Sequence, residues 1–508
     1  MSSHFEPWGL HWFRRDLRVA GNPALQWNWK RHQGRVAGIF CFDSKFLSRA
    51  DFSHNRFGFF LATLQALKSE LQSLGSDLWV VDCLPHEALP RIHHELLKPG
   101  RAFSAVSFNR DYEPFARERD DHIVRLLQED LQVPVHTERD HLVLEPNEVL
   151  KPASDGAPYY QVYSPFAKRW IDTFSSDDVR NRIALQRKGL TYLKNRAQGQ
   201  IDSQLFSLRW SQIWQSKSPP FSDALETFID QNRAHQTISI PPAGSLVALE
   251  QLQDFRHRIE NYGNQRDIPS VNGTSKLSIY LKNGSLTASQ IIAELELEGL
   301  SFKGTDGKTK FLKELIWREF YYSILFHRPS VEKTAFLEKY STLAWQNDPK
   351  LFTAWKEGRT GYPIVDAGMR QLRQEGWMHN RVRMIVASFL TKDLLIDWRW
   401  GESHFMKELL DGDLACNNGG WQWAASTGCD PQPYFRIFNP ELQGARFDPD
   451  GKYITRYVPE LAGVAPKAIH APQALGESAL KKRGYMMPIV DHQSQKPKAL
   501  ALFKSAAT

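Results

Sequence analysis

The sequence predicts an α/β domain with a Rossmann-like parallel sheet, joined by a long connector to a large all-α domain. Short β-rich segments alternate with helical segments over the first 145 residues, and this alternation fades beyond about residue 236. The stretch between them follows neither pattern. At 508 residues, the chain is long enough for two domains that each bury a core.

The predicted strands of the first domain are short and apolar: Gly9–Phe13, Val36–Phe42, Leu78–Val81, Ala102–Phe108 and Val133–His136. Helical spacing of apolar residues between them, as in Arg56–Leu74 and Pro114–Leu131, predicts crossover helices and therefore a right-handed parallel sheet. The first strand is not followed by GxGxxG, the usual dinucleotide fingerprint. We therefore expect the main cofactor to bind in the other domain.

The rest of the chain divides into three parts. Residues 146–235, with Pro- and Tyr-rich and polar stretches, are interpreted as a connector that crosses the surface. Residues 236–490 are predicted to form the helical domain, and the polar, basic tail 491–508 is expected to be mobile. The helical pattern is clearest in four segments: Phe311–Leu325, Asp366–Glu375, Asn380–Leu395 and Glu402–Leu410.

Composition excludes several classes of protein. The net charge of +7 is compatible with a polyanionic partner, although many proteins have such an excess without one. The four cysteines form no CxxC pair, which argues against a disulfide framework, a zinc site or an iron–sulfur site, and we expect no metal. No apolar run approaches the roughly 18 residues of a membrane span, so a cytoplasmic protein is expected.

Residues 376–426 are the most informative stretch of the chain. They contain five tryptophans, paired asparagines, an Asp-Gly-Asp triplet and two arginines near the start. A tryptophan ring needs a large pocket, and its N–H usually needs a partner when buried. This density predicts a site built from aromatic surfaces.

Three other patterns allow more than one interpretation. The turn from Gly273 to Ser278 offers hydroxyls and backbone N–H groups for a phosphate, but it is also typical of a capped helix start. One helical face, typical of a domain edge or of a binding site, carries Glu314, Trp317, Arg318 and Tyr321. Asp411 and Asp413 fit a metal or turn motif as well as a ligand site.

These segments, with WFRRDLR (Trp12–Arg18) and the run from Tyr434 to Ile454, resemble the photolyase/cryptochrome family. The resemblance covers nearly the whole chain and is greatest to class I cyclobutane pyrimidine dimer photolyases. The related (6-4) photolyases place a histidine pair where this chain has His379-Asn380. The resemblance therefore implies an enzyme in which excited, reduced FAD repairs a flipped-out pyrimidine dimer in DNA by electron transfer.

The resemblance also implies the residues that hold FAD. One segment of the family holds the diphosphate, the two aspartates bond the isoalloxazine ring, and Asn417 faces its N5 atom. Arg383 is expected to form an ion pair with Asp411. The implied FAD-binding residues are Tyr262, Thr274, Ser275, Lys276, Leu277, Ser278, Arg383, Asp411, Asp413 and Asn417.

The same resemblance assigns residues to the dimer and to electron transfer. Glu314 is expected to bond a pyrimidine carbonyl, and Trp317 and Trp423 to form an aromatic wall. The implied substrate-binding residues are Arg266, Glu314, Trp317, Asn380, Arg381, Met384 and Trp423. Glu314, Asn380 and Met384 are also expected to be catalytic. A relay of Trp421, Trp398 and Trp345, in that order from flavin to surface, is expected to reduce the flavin.

The antenna chromophore is less clearly indicated. Tyr112-Glu113 is followed by Pro114, Phe115 and Ala116, so the Asn-Glu pair of folate-binding members is missing, although Lys333 matches a residue near that pocket. A deazaflavin or a second flavin is favoured over folate, and an empty antenna site is also compatible.

The sequence leaves three alternative functions. The first is a signalling cryptochrome, which usually has a longer C-terminal extension. The others are a DNA-binding flavoprotein without photochemistry and a flavin oxidoreductase, which would need a nicotinamide site. The expected partner is DNA that contains pyrimidine dimers, bound by a monomer with no obligate protein partner.

Overall fold

The structure is a computed structural model that describes residues 5–49, 51–98, 100–152, 156–200, 202–215 and 218–506. The first domain contains a five-stranded sheet. Its strands are β1 (Gly9–Trp12), β2 (Val36–Phe42), β3 (Leu78–Asp82), β4 (Ala105–Asn109) and β5 (Val135–Glu138). The β2 bounds equal the prediction, whereas β4 and β5 begin three and two residues later than expected.

The strands lie in the order β3-β2-β1-β4-β5, and all neighbours are parallel. The predicted α/β class is therefore confirmed. Four of the five strands, β1 to β4, are buried nearly throughout, as is typical of a parallel sheet covered on both faces. Because parallel strands end at one edge, the segments after β1, β2 and β4 come together there.

The helices of the first domain and the connector are α1 (Pro23–Arg31), α2 (His54–Ser73), α3 (Pro85–Leu97), α4 (Pro114–Arg125), α5 (Tyr163–Phe174), α6 (Asp177–Ala197), α7 (Trp210–Ile213) and α8 (Leu225–Arg233). The first helices of the second domain are α9 (Ser245–Arg256), α10 (Tyr262–Gln265), α11 (Ser278–Asn283), α12 (Ala288–Leu295), α13 (Gly307–His327) and α14 (Pro349–Lys356). They are followed by α15 (Pro363–Glu375), α16 (Asn380–Ser388), α17 (Trp398–Glu408), α18 (Leu414–Ala425), α19 (Pro440–Phe447), α20 (Lys452–Tyr457), α21 (Pro466–Ile469), α22 (Glu477–Arg483) and α23 (His492–Ser505).

The connector contains packed helices. Trp170 of α5 and Ile183 of α6 are fully buried in the core of the second domain. The apolar residues of α6 recur at helical spacing, which gives the helix one face to bury. Helices α5 and α6 of the connector are therefore part of the helical core, whereas Trp210 of α7 and Phe228 of α8 pack in the cores of the first domain. Ser216 and Lys217 lie outside the described residues. The division of the chain at residues 145, 235 and 490 stays a prediction.

The expectation of a mobile tail is wrong for residues 492–505, which form α23. Asp491 caps this helix by accepting a hydrogen bond from the Ser494 N–H, at 2.8 Å. Phe503 is fully buried, and its ring stacks on Tyr434 with centroids 5.8 Å apart. The tail looked polar because only a few apolar residues, spaced along one helical face, provide its contacts. Residues 507–508 lie outside the described residues.

A polar cluster joins the sheet to the helical domain. Arg15, just beyond β1, donates hydrogen bonds to Glu113 at 2.7 Å and to Asp413 at 3.0 Å. Its other Nη2 contact is the Tyr322 hydroxyl, at 2.8 Å. The edge where the strands end therefore faces the second domain through partly buried ion pairs. Within the described part of the chain, no helix combines the length and apolarity that a membrane crossing requires.

Candidate active site

A cavity of about 430 Å³ opens in the helical domain. Four elements supply most of its wall: α11, α13, α16 and the stretch from α17 through α18. Its lining residues are Arg266, Ser278, Leu281, Lys282, Glu314, Trp317, Arg318, Tyr321, Asn380, Arg381, Arg383, Met384, Ala387, Phe405, Leu409, Asp411, Asp413, Cys416, Asn417, Gly420, Trp421 and Trp423. The cavity thus combines aromatic rings with closely spaced charges of both signs.

The α13 wall presents a carboxylate and an indole ring side by side. Glu314 accepts a hydrogen bond from Arg266 at 2.6 Å, so its charge is compensated at the cavity wall. Trp317 follows it on the same helical face. One face of the Trp317 ring stacks on Tyr163, with centroids 3.7 Å apart and planes 4° apart. Tyr163 therefore fixes the indole plane, and only the opposite ring face can receive a ligand.

The α16 wall contains two arginines, each paired with an aspartate. Arg383 donates to Asp411 at 2.9 Å, which is the predicted ion pair. Arg381 donates to Asp267 at 2.9 Å. The helix begins at Asn380 because the preceding His379 side chain accepts from the Arg381 N–H, at 3.2 Å. Burial lowers the pKa of His379 to about 4, so its ring is a neutral acceptor at neutral pH.

Asp413 is the most strongly held carboxylate of the cavity. It caps α18 by accepting from the Cys416 N–H at 3.1 Å, and its other oxygen accepts from the Tyr322 hydroxyl at 2.5 Å. Burial would raise its pKa, but the charges of Lys282, Arg15 and other cations outweigh burial and hold the pKa well below its usual range. Asp413 is therefore ionised at any physiological pH.

Asn417 lies between the cavity and a buried acid. Its Nδ2 donates to the Glu402 backbone carbonyl at 3.0 Å, across the α17–α18 interface. Burial raises the pKa of Glu402 to about 7, although a hydrogen bond from Asn417 opposes the rise. A group that exchanges a proton near neutral pH thus stands directly behind a residue of the cavity wall.

Most of the predicted site residues come together in this cavity. Those on its wall are Arg266, Ser278, Glu314, Trp317, Asn380, Arg381, Arg383, Met384, Asp411, Asp413, Asn417, Trp421 and Trp423. Those outside the lining are Tyr262, Thr274, Ser275, Lys276, Leu277, Trp345 and Trp398. Residues 274–277 form the turn that leads into α11, and the Lys276 ammonium lies 5.1 Å from the Trp377 ring centroid. Their roles toward FAD stay predictions.

The three relay tryptophans differ in burial. Trp421 and Trp398 are buried, whereas Trp345 is half-buried. A side chain at Gly401, one helical turn after Trp398, would clash with the Trp421 ring, so α17 passes directly against that ring. Gln346, next to Trp345, donates its N–H to the Leu395 carbonyl at 2.8 Å, close to the start of α17. Trp421 is thus the one of the three that lines the cavity, and the order of the relay stays a prediction.

Some residues at the site were not predicted from the sequence. Lys282 lies four residues after Ser278, so helical spacing from a predicted residue would have found it, whereas Tyr321 lies on the helical face that the sequence indicated. Tyr163 could not be found in this way, because it comes from α5 and is 154 residues away from Trp317 in the chain.

A second cavity, of about 390 Å³, lies where the strands of the sheet end. Phenylalanines dominate its lining, and Phe115 at its edge is 70% exposed. Lys282 lines both cavities, so the two are separated by little more than α11 and the Arg15 cluster. Burial lowers the pKa of Arg56, another lining residue, to about 10.

Comparison with known proteins identifies the family. Residues 9–184 match the model of DNA photolyase, and residues 311–505 match the model of the FAD binding domain of DNA photolyase. A deoxyribodipyrimidine photo-lyase of Vibrio cholerae is 39% identical over 98% of this chain and 99% of its own length. The chain therefore belongs to the DNA photolyase family, within the photolyases and cryptochromes. The expected enzyme class, deoxyribodipyrimidine photolyase, is confirmed by such relatives, as is an FAD-binding domain.

Solved structures agree with this assignment. A class III photolyase from Agrobacterium tumefaciens superposes with a TM-score of 0.81 at 33% identity, covering 99% of this chain and 98% of that one. An archaeal photolyase from Sulfolobus tokodaii, described with two FAD molecules, gives 0.75 at 28% identity, with 98% and 99% covered. A cryptochrome from Synechocystis gives 0.78 at 26% identity, with 98% and 100% covered.

Proposed function

We propose that the protein repairs cyclobutane pyrimidine dimers in DNA, driven by light absorbed by FAD in the 430 Å³ cavity. The observation that carries this proposal is the α13 wall. There, a fixed indole plane with one free face stands beside a glutamate, opposite the Arg383–Asp411 pair. Such a wall suits a flat, polar lesion, and the pair opposite suits a flavin ring.

The charges of the cavity fit an anionic cofactor. Five cationic side chains line it against three carboxylates. FAD carries a diphosphate, which the hydroxyls of residues 274–278 would hold, while Asp411 and Asp413 accept hydrogen bonds from the ring edge. When bound and reduced, FAD supplies an electron to the lesion after absorbing light. Arg383 keeps a positive charge beside the ring site and so favours a reduced, anionic ring.

The substrate must leave the duplex to reach this cavity. A dimer stacks and pairs poorly, so unstacking costs less than the few kcal/mol of a normal base. The free face of Trp317 and the ring of Trp423 cover its apolar faces, and Met384 fills the space between them. Glu314 would hydrogen-bond a pyrimidine carbonyl of the lesion, in place of its present bond to Arg266, and so stabilise the added electron there.

The tryptophans from Trp421 to Trp345 connect the flavin site with the surface. We assign to them the reduction of the cofactor before repair. Buried Trp421 lies on the cavity wall, and half-buried Trp345 lies near solvent, which suits an inward flow of electrons.

The second cavity is the proposed antenna site. Its many phenylalanine rings suit a planar chromophore, and its position beside the FAD cavity suits energy transfer. The Sulfolobus structure described with two FAD molecules supports a flavin or deazaflavin here rather than folate.

The main alternative is blue-light signalling, which the Synechocystis cryptochrome keeps open. It shares the fold but would not require dimer splitting. A repair assay therefore separates the two functions.

Two substitutions at Glu314 test the proposed site. We expect Glu314→Ala to slow repair of a dimer-containing oligonucleotide about tenfold or more, which corresponds to about 1.4 kcal/mol of lost stabilisation. Glu314→Gln keeps an N–H donor and should retain more activity. The control is Glu338→Ala, at an exposed position paired with Arg328. Equal repair by Glu314→Ala and the control would contradict the role of Glu314.

A further inference from the structure

A third cavity, of about 290 Å³, lies away from the other two and shares no lining residue with them. It forms where α1, the segment after β5, α6 and the start of α12 meet. The proposed repair function assigns it no role. Its volume is near the lower end of the range that ligand sites have. A dinucleotide is therefore too large for it, whereas a mononucleotide is of suitable size.

The floor of this cavity is apolar, and one side is aromatic. Leu142, Val143 and Ile183 line it and are each at most 4% exposed. Trp27 lines the side, and its ring stacks on His136 with centroids 4.1 Å apart and planes 7° apart. The floor and the edge of this fixed indole can contact a flat ring.

Positive charge dominates the polar part of the lining. Three cations line the cavity: Lys30, Arg139 and Arg182. The two acidic residues of the lining are paired with residues other than these cations. Asp140 accepts two hydrogen bonds from Arg18, and Glu138 pairs with His136 at 2.8 Å.

Arg139 and Arg182 share one carboxylate outside the lining, Glu148, and Arg139 also lies 3.8 Å from Glu145. Glu148 lies 2.5 Å from Arg139 and 3.6 Å from Arg182. Burial and then repulsion by Arg139 lower the pKa of Arg182, which indicates that its charge is incompletely compensated. An anion in the cavity would supply the missing charge.

Gln186 provides a buried acceptor without a donor. Its residue is 6% exposed, and its Nε2 donates to the Gly21 carbonyl at 2.9 Å. Among the described residues, its Oε1 has no hydrogen-bond partner. Buried polar atoms of this kind are uncommon, and each lacks about 1–3 kcal/mol of hydrogen bonding. Gln186 lines the cavity, so a rotation of its side-chain amide would present this closed-off oxygen to a ligand N–H group.

We propose that this cavity binds a small planar heteroaromatic anion that carries an N–H donor, with a purine nucleoside monophosphate as the fitting class. The ring lies on the apolar floor beside Trp27, and its N–H donates to Gln186. The phosphate lies against Arg139 and Arg182. The site is separate from repair, so its test does not depend on the proposed function.

The test is isothermal titration of the FAD-loaded protein with GMP, guanosine and inorganic phosphate. We expect GMP to bind with a submillimolar Kd, and each of the two partial ligands at least tenfold more weakly. Arg182→Gln and Gln186→Leu should each weaken GMP at least fivefold. Arg180→Gln is the matched control, because Arg180 lies on the same helix, is exposed and does not line the cavity.

Three results would overturn the proposal. The first is no GMP binding at millimolar concentration. The second is GMP binding that Arg182→Gln leaves unchanged, which would locate the nucleotide elsewhere. The third is equal affinity for phosphate and GMP, which would reduce the site to an anion site. Retained FAD absorbance and an unchanged Tm show that each variant is folded. If Gln186→Leu does not fold, the result for Arg182→Gln decides the test.

Discussion

Single residues in the FAD cavity are fixed by partners outside it. Tyr163 holds the plane of Trp317, Arg266 holds Glu314, and Arg15 reaches Asp413 from the other domain. Such supporting contacts keep the wall in one geometry, which a site acting on a flipped-out lesion needs. The proposed chemistry therefore depends on residues that never touch the substrate.

Glu402 gives a prediction about pH. Burial raises its pKa from 4.5 to about 7, so between these values the folded protein keeps a proton that the unfolded chain loses. The unfolding free energy therefore falls as the pH rises from 4.5 to about 7 and changes little above that value. From pH 5.5 to 8, wild type should lose about 2 kcal/mol more unfolding free energy than Glu402→Gln, because about 1.5 pH units of this range contribute.

The measurement is urea unfolding at several pH values, with Glu477→Gln as an exposed control. Parallel pH profiles for wild type and Glu402→Gln would show that Glu402 does not exchange its proton near neutral pH.

At the scale of elements, α17 carries Trp398 and passes against the ring of Trp421, two members of the proposed relay. Trp398→Phe should leave FAD bound and should leave repair by the chemically reduced enzyme intact, because neither step uses the relay. Photoreduction of the oxidised cofactor should slow at least tenfold, since phenylalanine is much harder to oxidise. Flavin absorbance under blue light with an external reductant measures this rate, and Trp377→Phe, outside the cavity lining, is the control. Unchanged photoreduction in Trp398→Phe would remove Trp398 from the relay.

Helix α23 is expected to contribute to the stability of the folded protein. Phe503 packs fully buried against Trp345, with ring centroids 6.0 Å apart, and its ring centroid lies 3.5 Å from the buried Lys392 ammonium. Phe503→Ala should therefore lower the unfolding free energy of the helical domain by about 3–5 kcal/mol, as large-to-small substitutions in protein cores do. Urea unfolding followed by circular dichroism compares it with exposed Lys504→Ala. Identical curves for the two variants would mean that α23 is not part of the stable core.

At the scale of the whole molecule, local patterns predicted the sheet well. A strand such as Val36–Phe42 is apolar enough to be identified within its own seven residues. The α13, α16 and α18 residues met in one cavity because each helix carries them at helical spacing.

Long-range contacts could not be predicted from such patterns. Arg15 and Asp413 are 398 residues apart, and nothing in either neighbourhood indicates the other. The prediction of a mobile tail was wrong for the same reason. The apolar residues of the tail are few, and their partners, such as Tyr434, lie far away in the sequence. The third cavity likewise forms from four distant elements, none of which carries a recognisable motif.

The central claim is that light absorbed in the FAD cavity splits pyrimidine dimers. The most direct measurement is anaerobic reduction of the FAD-loaded protein, addition of an oligonucleotide with one thymine dimer, and comparison of darkness with blue light. We expect thymine absorbance near 260 nm to recover only in the light, in proportion to exposure. A reduced, light-absorbing flavin that leaves the dimer unchanged would contradict repair and favour signalling.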